Sequence, residues 1–476
     1  MGNQAQPGGE ILKIMKFGGS CIGSEDALNR VSKVVKAEKE HKIVVVSAAS
    51  GVTDALREFI SKPRLEKEID DSLLALKLRH VDMLPRKDGD ERKEAIDRIE
   101  EKVTKLDRLL YGVTYTEELT PRTKDLILSF GERLSAIVVA ARLSHEGMDA
   151  VPMESDALGM ITNDQYGNAV ANLEQCEKNM GPALESAVKK KLLPVVTGFF
   201  GITPEGHVAT VGRSGTDYTA AVIAYATEAK PVEIWKEVDG FMSADPKLVK
   251  NAFQLERLSY EEAAELAYFG AQVLHPRAVQ PARLKGIEIV IKNLYKPESP
   301  GTVIGVSRQA RKDIIKSVSY VPKVATVKVY DTGAGYKSGF LADIASCLAK
   351  EEINIFSATT SQTCVAVLID EADIPHAKKA IKSVIPAVGE TFEINPGASL
   401  ICAVGEGFAT TKGIAARVFK AVAAKDVNVD LISAGASTVA YHFTVDRKDL
   451  KNTITAIHEE FFGTGSKEET YDNPVS

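Results

Sequence analysis

The chain has 476 residues, 44% of them apolar and 26% charged, with a formal net charge of −6. That is too long for one hydrophobic core, so about two to four domains are expected, with the composition of an ordinary folded protein. The negative balance argues against a nucleic-acid partner, and no run reaches the ~20 apolar residues of a membrane span, so no membrane partner is expected either.

In chain order, residues 1–10 are polar, carry no apolar core of a signal peptide, and read as a loose tail. An apolar run, Ile11 to Met15, then predicts a strand that ends in Lys16-Phe17-Gly18-Gly19-Ser20. Ile43 to Ser47 is an unbroken β-branched run of the kind found in buried parallel strands, and Leu193–Gly198, Val232–Trp235 and Ile287–Ile291 are similar. Helices are expected between them, among them 124–143 and 260–271. Residues of about 62–111 are charge-rich with helical spacing and a break at 85–90, which predicts a helical insertion on the surface. This alternation of strand and helix means an α/β sheet with ligands at the carboxyl ends of the strands.

A second glycine string, Gly212-Arg213-Ser214-Gly215-Thr216-Asp217, opens an apolar helical run. Each string delivers glycines and polar side chains to the start of a helix, where free N–H groups and the helix dipole favour anions. One such loop is a weak signal. A strand-end lysine in one and an Arg/Thr/Asp trio in the other point to a site for two anionic partners.

From about Ile304 the texture changes and an internal repeat begins. A constant offset of 74 aligns Gly339 with Gly413, Ala342 with Ala416, Ile344 with Val418, Asn354 with Asn428, Val365 with Val439 and Ile369 with Phe443. Each copy reads strand, glycine turn, helix, two strands and a second helix, the βαββαβ pattern of a ferredoxin-like module. The five cysteines, Cys21, Cys176, Cys347, Cys364 and Cys402, form no CxxC pair. They read as reduced thiols of a cytoplasmic protein, with no zinc site and no disulfide framework. Cys21 adjoins the first glycine loop and is the one thiol to watch for redox sensitivity.

Further strings complete an ordered set: Val44 to Ala48 with Gly51-Val52-Thr53, Phe130-Gly131-Glu132-Arg133, Trp235 to Gly240, Ala244-Asp245-Pro246, and Phe269 to Pro276. With the two glycine strings they appear in the order seen in aspartate kinases, and the resemblance runs from about Ile14 to Phe462. It implies an amino-acid-kinase domain with a mostly parallel sheet (11–303) followed by two ferredoxin-like ACT modules (304–393 and 394–476). It also implies transfer of a phosphoryl group from MgATP to the side-chain carboxylate of L-aspartate, the opening of the route to lysine, threonine and methionine. Mg²⁺ is expected to arrive with ATP, and no metal held by the protein itself is expected. A fused homoserine dehydrogenase is not expected, because Ser476 follows soon after the second repeat.

Carried over by resemblance, Lys16 sits beside the transferring phosphoryl group and Asp217 orients it. Phosphoryl transfer is mostly positioning and charge neutralisation, and a carboxylate nucleophile needs no general base. Arg213 grips the α-carboxylate, Ser47, Thr53 and Thr216 supply hydroxyls, Glu132 takes the ammonium, and Phe199 forms backbone or wall. Taken alone, Ser47 and Thr53 read equally as turn residues and Glu132 as a solvated helix-end charge. Gly18, Gly19 and Ser20 face the nucleotide, with Lys236, Glu237, Met242, Lys247 and Gln272. Several of these depart from the common bacterial pattern: Lys236-Glu237 for Thr-Asp, Met242 for Tyr, Lys247 for Arg and Gln272 for Lys. The form is nearer to the plant and fungal branch. His275 reads as a structural, hydrogen-bonded residue.

The resemblance also implies an amino-acid effector site in the first module, at Ser338, Gly339, Phe340 and Leu341 with Thr360 and Ser361. Phe356 stands where lysine-sensitive relatives often carry Asp, which tilts the effector from lysine toward threonine or another effector. Pairing of modules would cover sheet edges, so a homodimer or larger is expected. Two rivals stay open: a kinase for another carboxylate such as glutamate, and a non-catalytic amino-acid sensor.

Overall fold

The structure, a computed structural model, describes residues 12–62, 65–86, 89–212, 214–271, 273–306, 315–331, 335–336, 338–384, 391–409 and 411–463. It divides into two compact units, the first made of Met1–Phe241, Gln254–Ala264 and Gln272–Arg308, the second of Met242–Phe253, Glu265–Ala271 and Gln309–Ser476.

In the first unit β1 (Leu12–Phe17), α1 (Glu25–Ala37), β2 (His41–Val46) and α2 (Val52–Phe59) lead into two long helices, α3 (Glu66–Asp82) and α4 (Asp90–Thr116). Then come α5 (Pro121–Leu128), α6 (Phe130–His145), β3 (Ala150–Met153), α7 (Leu173–Lys189) and β4 (Leu193–Thr197). A hairpin of β5 (Phe200–Ile202) and β6 (Val208–Thr210) precedes α8 (Gly215–Thr227) and β7 (Val232–Lys236). β8 (Arg257–Ser259), α9 (Tyr260–Tyr268), α10 (Val279–Lys285), β9 (Ile289–Asn293) and β10 (Thr302–Gly305) follow, the division between units falling within α9. Eight of the strands form one sheet in the order β3-β4-β2-β1-β7-β9-β10-β8. Every pairing in it is parallel except β9 with β10.

The unbroken apolar run of β2 has its reason here, since Ile43 to Val46 are buried between β1 and β4. α6 is buried almost all round, as a central helix must be, whereas the charged α3 and α4 bury only a stripe, including Ile69, Leu73, Ile99, Leu106 and Leu110. The single helix expected over 124–143 is two helices meeting at Ser129. The Ser129 hydroxyl donates to the Leu126 carbonyl (2.7 Å), competing with the main-chain ladder and breaking it there.

The second unit holds β11 (Ser317–Tyr330), α11 (Phe340–Lys350), β12 (Ser357–Thr360), β13 (Cys364–Asp370), α12 (Ile374–Val384), β14 (Thr391–Val404), α13 (Ile414–Ala423), β15 (Val429–Ser433), β16 (Ala440–Asp446) and α14 (Leu450–Phe462). Its six strands make one antiparallel sheet in the order β12-β13-β11-β14-β16-β15. The two copies of the repeat therefore interlock. The later half of β11 pairs with β13 and with the first half of β14, while Ser317–Val321 pair with 400–404, beside β16. The second copy is completed by the start of β11. Separate apolar clusters lie under each copy, one around Val327, Ile344, Leu348 and Val367, the other around Ile401, Val418, Phe443 and Ile457.

Candidate active site

The site gathers where β1, β2, β4 and β7 end and α8 begins. Lys16 is the penultimate residue of β1 and Asp217 lies in the first turn of α8; both are buried, Asp217 completely. Lys16 Nζ stands 2.6 Å from Asp217 Oδ1, and Lys236 Nζ, from the end of β7, stands 3.1 Å from Oδ2. Burial alone would raise the Asp217 carboxyl, but the two ammoniums outweigh it and hold it down at about 2. One carboxylate thus fixes two cations, and among the described residues no second partner holds either ammonium.

The first glycine string lies beside this pair. Gly18 N–H donates to the Trp235 carbonyl (3.3 Å), and a Cβ on Gly19 would lie 2.6 Å from the Ala48 carbonyl oxygen. Only glycine lets this turn press against the loop after β2. Ser20 is half-buried in the short 3₁₀ turn that follows. Cys21 is buried, with its Sγ 3.4 Å from the Trp235 carbonyl, and burial pushes its thiol up, the opposite of a reactive thiolate.

The loop after β2 holds Ser47, and the first turn of α2 holds Thr53, both half-buried. The loop's Ala48 N–H donates to Glu132 Oε1 (3.0 Å), and its Ala49 N–H to Ser135 Oγ (2.9 Å), both from α6. Glu132 is buried, and its Oε2 has no hydrogen-bond partner among the described residues. Burial pushes this carboxyl up to about 8. A buried acid with one oxygen unused among the described residues has an unmet demand for a hydrogen-bond partner.

At the end of β4 the chain turns through Phe199 at φ +75°, a conformation that strains a residue with a side chain. Thr219 Oγ1 accepts from the Phe199 N–H (3.1 Å) and the Phe199 carbonyl accepts from Val211 N–H (2.9 Å), which hold it there. Thr216 is buried against this turn, where a Cβ on Gly198 would lie 2.2 Å from its Cγ2.

The remaining expected residues divide. Arg213 and Gln272 lie outside the described residues. Glu237 is exposed after β7, in a loop that Asn293 ties down by donating to Asp239 Oδ1 (2.6 Å) and to the Glu237 carbonyl (3.3 Å). Met242 and Lys247 belong to the second unit, Met242 with its carbonyl accepting from Ser317 Oγ (2.8 Å) and Lys247 exposed. His275 Nδ1 accepts from the Arg277 N–H (3.2 Å) and caps a 3₁₀ turn, a structural part. Sequence reasoning placed Lys236 at the nucleotide but missed its pairing with Asp217. The same reasoning missed Ser135, Thr219 and Asn293, whose hydrogen bonds set the loops. For Lys236 the signal was present, a second strand-end lysine on the strand adjacent to β1.

In the second unit a cleft of about 490 Å³ lies at the start of α11, lined by Gly339, Phe340, Leu341, Thr360 and Ser361 among others. Gly339, at φ +92°, provides the left-handed turn that starts α11. Ser338 is exposed and is not part of this lining. Phe356 packs edge-on against Tyr268, with ring centroids 6.0 Å apart.

Residues 12–293 match the amino acid kinase family, and 319–383 and 401–461 each match an ACT domain. The chain is 32% identical to Aspartokinase 1, chloroplastic, of Arabidopsis thaliana, an alignment covering 98% of this chain and 82% of that one. It is 30% identical to the bifunctional aspartokinase/homoserine dehydrogenase 2, chloroplastic, of the same plant, of which it spans about half (51%) while 96% of its own length is covered. Among solved structures, E. coli aspartokinase III in complex with aspartate and ADP superposes with a TM-score of 0.80 at 25% identity, covering 95% of this chain and all of that one. The chain belongs to the amino acid kinase family, among its aspartokinases, and is a kinase with two ACT domains. No helix among the described residues is long and apolar enough to cross a membrane.

Proposed function

We propose that the chain transfers the γ-phosphoryl group of MgATP to the β-carboxylate of L-aspartate, giving 4-phospho-L-aspartate, the first step toward lysine, threonine and methionine. The observation that carries this reading is Asp217 clamped between Lys16 and Lys236 beside a glycine turn. Two ammoniums held in place before the substrates arrive can neutralise charge on the equatorial oxygens of the phosphoryl group without reorganising. Asp217 is the positioning residue and Lys16 the catalytic one, with Lys236 as a second cation at the nucleotide. The nucleophile is already ionised, so no base is called on. Asp217 is committed to two lysines, and Mg²⁺ travels with the phosphates of ATP, held mainly by phosphate oxygens and water.

Aspartate's ammonium goes to the unused Oε2 of Glu132, its α-carboxylate to Arg213, and its hydroxyl contacts are Ser47, Thr53 and Thr216, with Phe199 as wall. Gly18, Gly19, Ser20 and Glu237 face the nucleotide, and Met242, Lys247 and Gln272 are assigned there by resemblance. The kinase domain comprises 11–303, with regulatory modules at 304–393 and 394–476. An amino acid, threonine before lysine, binds at Gly339–Leu341 with Thr360 and Ser361, with Ser338 at the rim. The assembly is a homodimer or larger. Five free cysteines fit a reducing compartment, which we take to be the cytoplasm; fractionation of the source cells tests that.

The deciding experiment is acyl phosphate formation trapped with hydroxylamine, using MgATP with L-aspartate or L-glutamate, and with threonine or lysine added singly. Aspartate-dependent product, reduced by one added amino acid, is the expected result. Product from glutamate alone would transfer the reading to another carboxylate.

A further inference from the structure

The sequence shows no metal-ligand spacing, but the strand register of the second unit brings three ligand types together. Cys402 on β14 lies directly opposite His442 on β16, and Ser319 on β11 lies opposite Cys402. Their neighbours Ile401, Ala403, Phe443 and Val318 pack into the core under α13 and α14. Alternation along a strand therefore turns the Ser319-Cys402-His442 row to the other face of the sheet. The last turn of α9 packs on that face. There the Phe269 ring lies 4.0 Å, centroid to centroid, from the His442 ring, and Gly270 comes so close to β11 that a Cβ would lie 1.9 Å from the Tyr320 carbonyl oxygen.

This packing delivers Glu265 from α9, with its Oε2 3.2 Å from His442 Nε2. A carboxylate oxygen of Glu265, the Cys402 sulfur and a ring nitrogen of His442 all lie within 4.8 Å of one another, the one such group among the described residues. Cys402 and His442 are buried and Glu265 half-buried. Beside them Ser319, more than nine-tenths buried, has an Oγ without a hydrogen-bond partner among the described residues. That buried hydroxyl faces the Cys402 thiol in the same row, and a polar oxygen turned on the sulfur is the second sign that something is held here.

We propose that Glu265, Cys402 and His442 bind one divalent cation of the zinc class, with the fourth position taken by water or the Ser319 hydroxyl. One sulfur, one nitrogen and one oxygen suit a borderline-soft ion and not Mg²⁺, which takes oxygens only. Ligands around tetrahedral zinc stand about 3.5 Å apart, so closure asks for shifts of about 1 Å, within reach of the half-buried Glu265 side chain. Binding converts the Cys402 thiol to a thiolate and releases its proton to solvent, with no change of oxidation state. The site belongs to the second copy of the repeat alone, because the positions 74 residues earlier are Lys328 and Leu368. Its effect is to pin α9 to the β14–β16 pair.

The test uses the full chain, stripped of metal, kept reduced and titrated with Co²⁺. The expected result is a thiolate-to-cobalt charge-transfer band that saturates at one ion per chain, is abolished by Zn²⁺ and is untouched by excess Mg²⁺. C402S should lose the band, and C364S, which alters the half-buried thiol elsewhere in the unit, should keep it. H442Q and E265Q should weaken binding by about 100-fold, at least the loss typical of a supporting residue around a metal. No band in the wild-type chain, or a band that survives C402S, overturns the proposal. Should C402S fail to fold, unchanged affinity in both H442Q and E265Q overturns it equally.

Discussion

The proposed kinase site and the proposed effector cleft handle polar groups in opposite ways. At the kinase site Lys16, Asp217 and Glu132 are buried, and each is held by a named partner before any substrate arrives. At the cleft, Thr360 and Ser361 are exposed, and no charged side chain is among the lining formed by the described residues. Chemistry on a charged transition state rewards groups that need not move, since reorganisation would cost part of the stabilisation. A reversible effector needs moderate affinity, which two hydroxyls and a helix start can supply. The second copy of the repeat sharpens the point. At the positions of Thr360 and Ser361 it carries Ala434 and Gly435, so the same fold offers no hydroxyls there.

The largest expected effect breaks the kinase side alone. Lys16→Ala should lower kcat by roughly 10²–10³-fold, the loss of one preorganised donor, while effector binding by calorimetry stays unchanged. Lys236→Ala, removing a partly exposed cation, should cost about tenfold in kcat or in KM for ATP, and a near-normal value for both would remove it from the site. On the regulatory side, Thr360→Val with Ser361→Ala should weaken effector binding by roughly tenfold, the worth of one or two hydrogen bonds, with uninhibited kcat unaltered. Placing Thr at Ala434 should change neither quantity.

The smallest effect is a pH dependence. Glu132 holds its proton up to about 8, so aspartate should bind less tightly as pH falls through that value, visible as a few-fold rise in KM. The linkage to stability runs the other way. A carboxyl raised by burial favours the folded state most below the unfolded value near 4.5, and that contribution is lost as pH rises toward 8. Glu132→Gln should therefore flatten the decline of the melting temperature over that range while raising KM for aspartate. A melting profile with the same slope in the variant would show that Glu132 is ionised in the empty protein.

Much of this was legible in the chain because it is written in local patterns. The β-branched run 43–46, the strand-end Lys16 and the repeat at offset 74 each need only a short window to be recognised. What escaped depends on residues far apart in sequence. Lys236 meets Asp217 only because β7 lies next to β1, and Ser135 caps Ala49 only because α6 packs behind β2. Helix ends escaped for a local reason. The helix expected to run to Ala271 stops at Tyr268, since Gly270, at φ +108°, turns the chain onto β11.

The shared strands of the regulatory sheet have a consequence for how the chain is made. Ser317–Val321 leave the ribosome early, but their partners at 400–404 emerge only after the whole first copy has been synthesised. Until then the edge of the front half of β11 that later meets β14 is unpaired, although Val318 already bridges to Ala244, and that edge is open to any neighbouring nascent chain. A truncation placed after α12, although it ends at a natural boundary of the repeat, would leave that edge exposed for good.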